Sequence, residues 1–270
     1  MDVLFTGTGA ADFATALKCD CAHCTAIRTR GARNLRHYAS ILVDDRILFD
    51  CGPTVPWRLG ELDVPPAQVE ALFITHSHED HLDLPAIEDL LRARPADAGP
   101  VPVYGNDASR AALAGLDGRL ELIPAVPGEA VEVLGRQFVP VKANHIIEQE
   151  ETLNWLIGGG GGWVLYGTDT GWPLDATWDI LGSHRLSGAI VEATFGMLRP
   201  EDHPGYMTYH MNWPRFLELR EELVAREVLA AEAPYIATHI SLHHAPIHDE
   251  LSPLAQPPVV VAHDVLRVRL

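Results

Sequence analysis

Hydrophobic and polar positions divide the chain into short strand-like runs that alternate with helical patterns. Short runs rich in Val, Ile, Leu and aromatic side chains, bounded by turn residues, predict strands. These runs cover residues 2–6, 39–44, 46–50, 70–75, 101–104, 119–123, 130–142, 152–157, 163–168, 188–193, 234–238 and 258–262. Apolar residues at helical spacing predict helices over residues 84–94, 106–115, 174–182 and 212–226.

Many strands with interspersed helices fit two β-sheets that pack together and carry helices on both outer faces. The chain shows no repeat, linker or composition break, so we predict one domain over residues 1–270. The glycine run 158–162 lies between two strand patterns and predicts a flexible hairpin tip. A phosphate-binding loop is the alternative, although no Gly-Lys-Ser/Thr sequence follows the run.

The charge balance limits the classes of partner. The 270 residues include 20 Lys plus Arg and 37 Asp plus Glu, a formal net charge of −17. This excess repels phosphate backbones and argues against general nucleic-acid binding. A small anionic substrate remains compatible, because a bound metal cluster can override the overall field. A homodimer is compatible with the sequence as well.

The sequence gives no indication of a membrane protein. No apolar run approaches the roughly 20 residues of a membrane-spanning helix. Met1 is followed directly by the strand-like residues 2–6, without a basic start and a long apolar stretch. We therefore expect a cytoplasmic protein with no membrane partner.

Fourteen histidines are present, and several cluster by spacing. The segment 75–81 reads Thr-His-Ser-His-Glu-Asp-His and follows an apolar run. On an extended strand end, His76 and His78 project to the same side because side chains alternate with period two. A following turn would bring Asp80 and His81 to a neighbouring point. Imidazoles and a carboxylate suit zinc-like ions, so the segment predicts a Zn²⁺ or Mn²⁺ site.

Further metal ligands are expected where other predicted strands end. His145 follows the run that ends near residue 142, Asp169 follows 163–168, and His239 follows 234–238. Each residue alone is weak evidence for a metal site, since a lone histidine at a strand end is usually not a metal ligand. In this order behind an HxHxDH segment, they together indicate a complete metal centre.

Three of the four cysteines form a second candidate metal site. Cys19, Cys21 and Cys24 have the spacing CxCxxC. Three thiolates can occupy three corners of a zinc tetrahedron, with the fourth ligand from elsewhere. Such a site would hold an otherwise irregular loop in place. Buried free thiols are the alternative interpretation.

The HxHxDH segment and the ordered residues behind it resemble the metallo-β-lactamase superfamily over essentially the whole chain. The resemblance implies an α+β fold, an αββα sandwich of two mixed β-sheets flanked by helices, with the metals at one edge. It implies that one metal is held by His76, His78 and His145, that a second is held by Asp80, His81 and His239, and that Asp169 bridges them. Asp80 is accordingly expected to be essential for catalysis.

The Thr-Gly-Thr-Gly sequence at 6–9 and the three-cysteine segment resemble the phosphoribosyl cyclic phosphodiesterase group of the carbon–phosphorus lyase pathway. In that group a histidine three residues after the last active-site histidine completes a structural zinc site. Leu242 occupies that position here. The fourth ligand must therefore be shifted, and we expect His243, with His244 and His23 as alternatives.

Two further residues are assigned roles around the metals. The sequence Tyr-His-Met-Asn at 209–212 also resembles this group, which implies that His210 touches the substrate phosphate or protonates the leaving oxygen. A surface loop is the alternative for His210. Asp50, at the end of a predicted strand, is expected to orient a metal-bound imidazole through its other ring nitrogen. The remaining histidines without a spacing argument, expected to be structural or exposed, are His37, His184, His203, His248 and His263.

Together these features predict a dinuclear metal-dependent hydrolase with two catalytic Zn or Mn ions and one structural Zn. The expected activity is that of a phosphodiesterase on a small cyclic or nucleotide-like phosphate ester. Paired metals lower the pKa of bound water and hold the oxygens of a displacement at phosphorus. The alternatives are hydrolysis of another ester, a thioester or a lactam, or a non-catalytic cofactor-pathway binding protein of the same fold. Seven intact expected ligands favour catalysis.

Overall fold

A computed structural model describes residues 1–116, 118–145, 150–159, 161–202 and 205–270. Within them, strands numbered in chain order form two seven-stranded sheets. The first sheet comprises, in spatial order, β14 (Arg267–Arg269), β1 (Asp2–Gly7), β2 (Ser40–Val43), β3 (Ile47–Phe49), β4 (Ala71–Phe73), β5 (Val101–Gly105) and β6 (Leu120–Pro124). The second comprises β13 (Val259–Val261), β12 (Tyr235–Thr238), β11 (Leu186–Glu192), β10 (Gly162–Gly167), β9 (Leu153–Gly159), β8 (Arg136–Lys142) and β7 (Val131–Val133).

Both sheets are mixed, as the resemblance implied. In the first sheet β1, β2 and β3 pair antiparallel, whereas β3 to β6 are parallel. In the second, β7 to β10 pair antiparallel and β10 to β13 are parallel. The α-helices of the described residues are α1 (Phe13–Lys18), α2 (Ala22–Arg30), α3 (Val55–Glu61), α4 (Leu84–Arg92), α5 (Asp107–Leu113), α6 (Asp175–Leu181), α7 (Trp213–Ala225) and α8 (His248–Leu251).

Alternation along the strands creates three layers of core. In β1, Val3 and Phe5 pack between the two sheets, whereas Leu4 joins the cluster on the outer face of the first sheet. This is the period-two arrangement expected of a strand that is buried on both sides. The layer between the sheets is largely aromatic and includes Phe49, Phe73, Phe138, Trp155 and Tyr166.

Helices cover the outer faces of both sheets. Ile87 and Leu90 of α4 belong to the cluster on the first sheet. Trp178 of α6, together with Phe216 and Leu219 of α7, belongs to the cluster on the second. The predicted αββα sandwich is therefore confirmed. Among the described residues, no helix is long and apolar enough to cross a membrane.

The predicted strands all lie on observed strands, but one of them divides. The run 130–142 forms two antiparallel strands, β7 and β8, instead of one. Leu134 and Gly135 between them both take left-handed φ values, 52° and 79°. Two such residues form the tight turn that best matches the twist of paired strands. The prediction of one continuous strand was wrong because Leu134 carries no turn signal.

The glycine run lies at a hairpin, as predicted. Gly159 pairs with Gly162 where β9 turns back into β10, while Gly160 lies outside the described residues. Several short elements were not predicted: α1, α2, α3, α8 and β14. The expectation of an irregular loop around the cysteines was wrong. Cys21 caps the N-terminus of α2, where its sulfur accepts a hydrogen bond from the Cys24 amide at 3.4 Å.

We predict that Phe138→Ala lowers the free energy of unfolding by about 3–5 kcal/mol, the usual cost of emptying a large buried aromatic site. Phe138 is fully buried, with its ring centroid 4.3 Å from that of Phe73. The measurement is urea denaturation at fixed metal concentration. Leu254→Ala is the control, because Leu254 is 48% exposed and should change the free energy by at most about 0.5 kcal/mol. Equal effects of the two substitutions would contradict this account of the core.

Candidate metal centre

The polar residues that follow the strands of both sheets meet at one edge of the sandwich. Residues 76–81 follow β4 of the first sheet. His145, Asp169 and His239 follow β8, β10 and β12 of the second sheet. The two sheets are joined at this edge by the backbone, since Gly9 forms a bridge with Ile240. Residues far apart in sequence are thereby placed around one point.

The first ligand set consists of three imidazoles. Nε2 of His76 lies 3.0 Å from Nδ1 of His78. Nδ1 of His78 lies 3.3 Å from Nε2 of His145. One nitrogen from each ring falls within 4.8 Å of the other two. The structure thus brings together the three histidines that the resemblance assigned to one metal.

The second ligand set combines carboxylates and imidazoles. Asp80, His81, Asp169 and His239 each offer an atom within 4.8 Å of the others. Oδ2 of Asp169 lies 2.5 Å from Nε2 of His81 and 3.1 Å from Nε2 of His239. The same oxygen lies 3.8 Å from Nε2 of His76 in the first set. Asp169 therefore lies between the two sets.

Hydrogen bonds on the outer nitrogens direct the lone pairs of the imidazoles inward. Nδ1 of His81 donates to Asp50 at 2.8 Å. Nδ1 of His76 lies 2.9 Å from Oγ1 of Thr75, whose hydroxyl donates in turn to Asp50. Nδ1 of His239 lies 2.9 Å from Oγ1 of Thr194. Such outer partners fix the ring orientation of metal-binding histidines.

The role predicted for Asp50 is consistent with this geometry, whereas sequence reasoning missed Thr75 and Thr194. Threonines are common beside strand ends, so the sequence alone does not identify these two as partners of the candidate ligands. Only the fold shows that each hydroxyl faces the outer nitrogen of a candidate ligand.

The donor atoms at this edge fit divalent cations. Oδ2 of Asp169 is buried and accepts no hydrogen bond among the described residues. Nε2 of His81 and Nε2 of His239 lie 2.5 and 3.1 Å from it. A buried carboxylate oxygen in such surroundings is costly unless a positive charge joins it. Imidazole nitrogens and carboxylate oxygens are also the ligand types that zinc and manganese accept.

The carboxylates and imidazoles of the site shift one another's pKa values strongly. Burial raises the pKa of Asp169, but His239 and His81 outweigh it and hold that pKa well below its usual range. Burial lowers the pKa of His81, but Asp80, Asp169 and Asp50 outweigh it and hold the pKa well above its usual range. Burial, followed by His81, keeps the pKa of His76 well below its usual range. The imidazoles around Asp169 thus stabilise its carboxylate form.

Several residues at this edge adopt unfavourable backbone conformations. Asp50, Asp169 and His239 have φ values of 61°, 44° and 50°. Such left-handed conformations are uncommon for residues other than glycine and cluster at functional sites. The turn that carries Asp80 also packs closely on Gly52, where a Cβ atom would lie 2.1 Å from the Asp80 carbonyl oxygen. The left-handed backbone at Asp50 and Asp169 and the close packing of Gly52 on the Asp80 turn thus position these carboxylates.

His210 lies next to both ligand sets and pairs with a carboxylate that sequence reasoning missed. Its Nδ1 donates to Oε1 of the fully buried Glu192 at 2.9 Å and lies 3.5 Å from Oδ1 of Asp169. Its ring centroid is 4.8 Å from that of His145. Burial lowers the pKa of His210, but Glu192 outweighs it and raises the pKa to about 9. Glu192 is the last residue of the apolar strand β11. This strand-end position is the sequence signal that could have identified it as a candidate site residue.

The three cysteines of the CxCxxC segment meet His243. Their sulfurs and a nitrogen of His243 lie within 4.8 Å of one another, and Nδ1 of His243 is 3.2 Å from Sγ of Cys24. Burial, then the neighbouring thiols Cys21 and Cys19, raises the pKa of Cys24 to about 12. Three sulfurs and one imidazole match a closed zinc tetrahedron. Cys51 is buried outside this set.

The other two candidates for the fourth ligand face elsewhere. Nε2 of His23 lies 2.9 Å from the carbonyl oxygen of Leu242, a contact in which His23 donates. His244 lines the cavity above the histidine and carboxylate sets. Of the three histidines left open by the sequence, the geometry favours His243.

The cavity beside the two ligand sets has a volume of about 610 Å³. His78, Asp80, His145, Asp169 and His210 line one side of it. No Lys or Arg is among the lining residues within the described part of the chain. A substrate in this cavity would meet imidazoles, carboxylates and any bound cations, without basic side chains.

The remaining histidines lie away from the ligand sets. His37 pairs with Asp264 at 2.7 Å, and His248 lies 3.3 Å from the buried Arg36. His184 lies 2.7 Å from the carbonyl oxygen of Ile180, and His263 makes a similar contact with its neighbour. These are structural contacts of the kind expected. His203 lies outside the described residues.

Two sheets with outer helices and a His/Asp cluster at one edge define a protein of the metallo-β-lactamase fold. A family profile described as the beta-lactamase superfamily domain matches residues 45–232. The chain belongs to this superfamily.

Solved structures of the same fold align over the whole chain. A new diphosphatase from the PhnP family has a TM-score of 0.77 at 22% identity, covering 100% of this chain and 97% of that one. Zn²⁺-bound PqqB from Methylobacterium extorquens has a TM-score of 0.74 at 17% identity, covering 100% of both chains. At these identities the likeness concerns the fold.

Curated sequence relatives include ribonuclease Z. The enzyme from Bacillus licheniformis is 32% identical over 109 residues, which are 39% of this chain and 30% of that protein. Ribonuclease Z from Bacillus thuringiensis is 33% identical over 110 residues, again 39% and 30% of the two chains. The matched region therefore spans less than a third of these relatives.

We predict that protein purified gently without chelators carries close to three metal ions per chain, measured by elemental analysis. Two would bind the histidine and carboxylate sets, and one would bind the cysteine set. At most one metal per chain would contradict this count.

Cys21→Ser should remove about one zinc equivalent and lower the melting temperature, because structural zinc contributes folding energy directly. Cys51→Ser is the matched control, since Cys51 is a cysteine outside the cluster and should retain the full metal content. Wild-type zinc content and melting temperature in Cys21→Ser would show that the cysteine site is assigned wrongly.

Proposed function

We propose that the chain is a dinuclear metal-dependent phosphodiesterase that acts on a small cyclic or nucleotide-like phosphate ester. The observation that carries this proposal is the position of Asp169 between two ligand sets, with one oxygen facing His76 of the first and His81 of the second. The first set would hold one cation through three imidazoles. The second would hold another through Asp80, His81 and His239, with Asp169 shared.

Two divalent metals in these positions would supply a nucleophilic oxygen at neutral pH and neutralise negative charge that develops on a phosphate. The local charge would be positive despite the net charge of −17 of the whole chain. This supports an anionic substrate at the edge that carries Asp80 and Asp169.

The His210–Glu192 pair would supply a proton to the leaving oxygen. Nδ1 of His210 is committed to Glu192, which leaves Nε2 as the ring nitrogen that can exchange a proton with substrate. Glu192 is held in turn by the backbone amides of Thr170 at 2.6 Å and Met211 at 3.0 Å. Glu192 is therefore a positioning residue, and His210 is the proposed general acid.

Cavity size and charge favour a small ester. A volume of about 610 Å³ suits a nucleotide-sized molecule. The likeness to ribonuclease Z favours RNA as a second candidate substrate, because both reactions break a phosphodiester bond. The absence of Lys and Arg from the described cavity lining, together with the charge of −17, supports the small ester over a long polyanion.

Turnover of bis(p-nitrophenyl) phosphate with added Mn²⁺ or Zn²⁺ tests the proposed reaction. We predict that His78→Ala and Asp80→Ala abolish this turnover while the circular dichroism spectrum stays unchanged, because both residues lie at the sheet edge outside the core. His184→Ala is the matched control and should keep full activity. An inactive wild-type chain with a full metal content would refute the proposed function.

His210→Ala should reduce kcat by roughly 10²–10⁴-fold on an ester with a poor leaving alcohol, the usual contribution of a positioned acid. The loss should be smaller with p-nitrophenolate, which departs without protonation. Metal content should equal that of the wild type. Equal losses on both leaving groups would indicate phosphate binding instead of proton transfer, and unchanged kinetics would exclude His210 from the site.

A further inference from the structure

Two consecutive histidines near the end of the chain face two different sites. Nδ1 of His243 lies 3.2 Å from Sγ of Cys24 in the cysteine set. His244 lines the cavity beside the metal-binding sets, and its ring stands at 87° to that of His243. His244 is also exposed, so a molecule that enters the cavity can reach its ring.

The turn that carries His244 is fixed by a carboxylate from the other end of the chain. Asp12 accepts hydrogen bonds from Oγ of Ser241 at 2.6 Å and from the amides of Leu242 and His243 at 3.0 and 2.8 Å. The amide of His244 then donates to Oγ of Ser241 at 2.8 Å. The backbone of His244 is thus held in place before any substrate arrives.

The wall that contains His244 differs from the metal-binding side of the cavity. Ala10 and Ala11 contribute small apolar surfaces, and Phe195 contributes an aromatic ring. The Phe195 centroid lies 6.3 Å from that of His244 and 5.7 Å from that of His210. An aromatic wall therefore runs from the proposed general acid to His244.

Such a wall suits a flat, uncharged ring better than a second phosphate. Aromatic faces bind nucleobases by stacking and tolerate different bases, because every base has a π-face. A second phosphate would call for Arg or Lys, which are absent from the described lining.

We propose that His244 is a specificity-determining residue that stacks on the heteroaromatic ring of a nucleoside-like group retained on the phosphate. This inference rests on the proposed phosphodiesterase function and adds the part of the substrate that the metals do not recognise. Asp12 and the cysteine site, through His243, act as positioning groups for the turn that carries it.

Two esters with the same leaving group test this proposal. Thymidine 5′-(p-nitrophenyl) phosphate retains a nucleoside on the phosphate, whereas methyl p-nitrophenyl phosphate retains a methyl group. His244→Ala should lower kcat/KM for the thymidine ester about tenfold, the scale of one lost base stack, and change the methyl ester by less than about twofold. His244→Phe keeps a ring and should retain most of the preference. His184→Ala, at a histidine away from the cavity, is the matched control.

Calorimetric binding of thymidine 5′-monophosphate and of inorganic phosphate gives a readout without turnover. His244→Ala should weaken binding of the nucleotide about tenfold and leave inorganic phosphate unchanged. Equal losses for both esters or both ligands would overturn the proposal, as would a His244→Phe variant that behaves like His244→Ala. If the wild-type chain hydrolyses neither ester, the phosphodiesterase function fails and the two binding measurements alone decide the role of His244.

Discussion

The placement of one buried carboxylate, that of Asp169, is the constraint on which the rest of the site depends. Its Oδ2 faces histidines contributed by both sheets, His76 and His81 from the first and His239 from the second. Burying an ionised carboxylate is costly unless opposite charge surrounds it. The two sheets must therefore meet at one edge with their polar loops pointing inward, and a backbone bridge between Gly9 and Ile240 joins them there.

This constraint separates the part of the molecule that provides stability from the part that provides chemistry. Apolar and aromatic side chains between the sheets and under the helices form the core, and the described ligand atoms lie beyond the strand ends. Left-handed backbone at Asp50 and Asp169 is tolerated because well-packed strands lead into both residues. Substitutions at the edge can thus alter chemistry without removing the layers that hold the fold.

Much of the fold could be predicted from sequence because its strands are apolar runs bounded by turn residues. The candidate ligands could be predicted because they directly follow such runs, first in the HxHxDH segment and then singly. Glu192 could not be assigned a role, since its function depends on His210, which reaches it only through tertiary structure. Helix α2 was missed for a similar reason. Its buried residues Cys24 and Ile27 pack against Leu242 and Ile247 from the distant end of the chain, a contact that no local pattern reveals.

The wide sequence separation of the cysteine site has a consequence for biosynthesis. Cys24 and His243 are 219 positions apart. During synthesis the thiols emerge long before the imidazole, at a rate of about 5–20 residues per second. A metal ion that bound before His243 was synthesised would be held by the three thiols alone. Such an ion could exchange with cellular thiols and chelators. Tight capture of the zinc expected there would wait until His243 has been made, so metal retention at this site would report that residues 19–24 and His243 have come together.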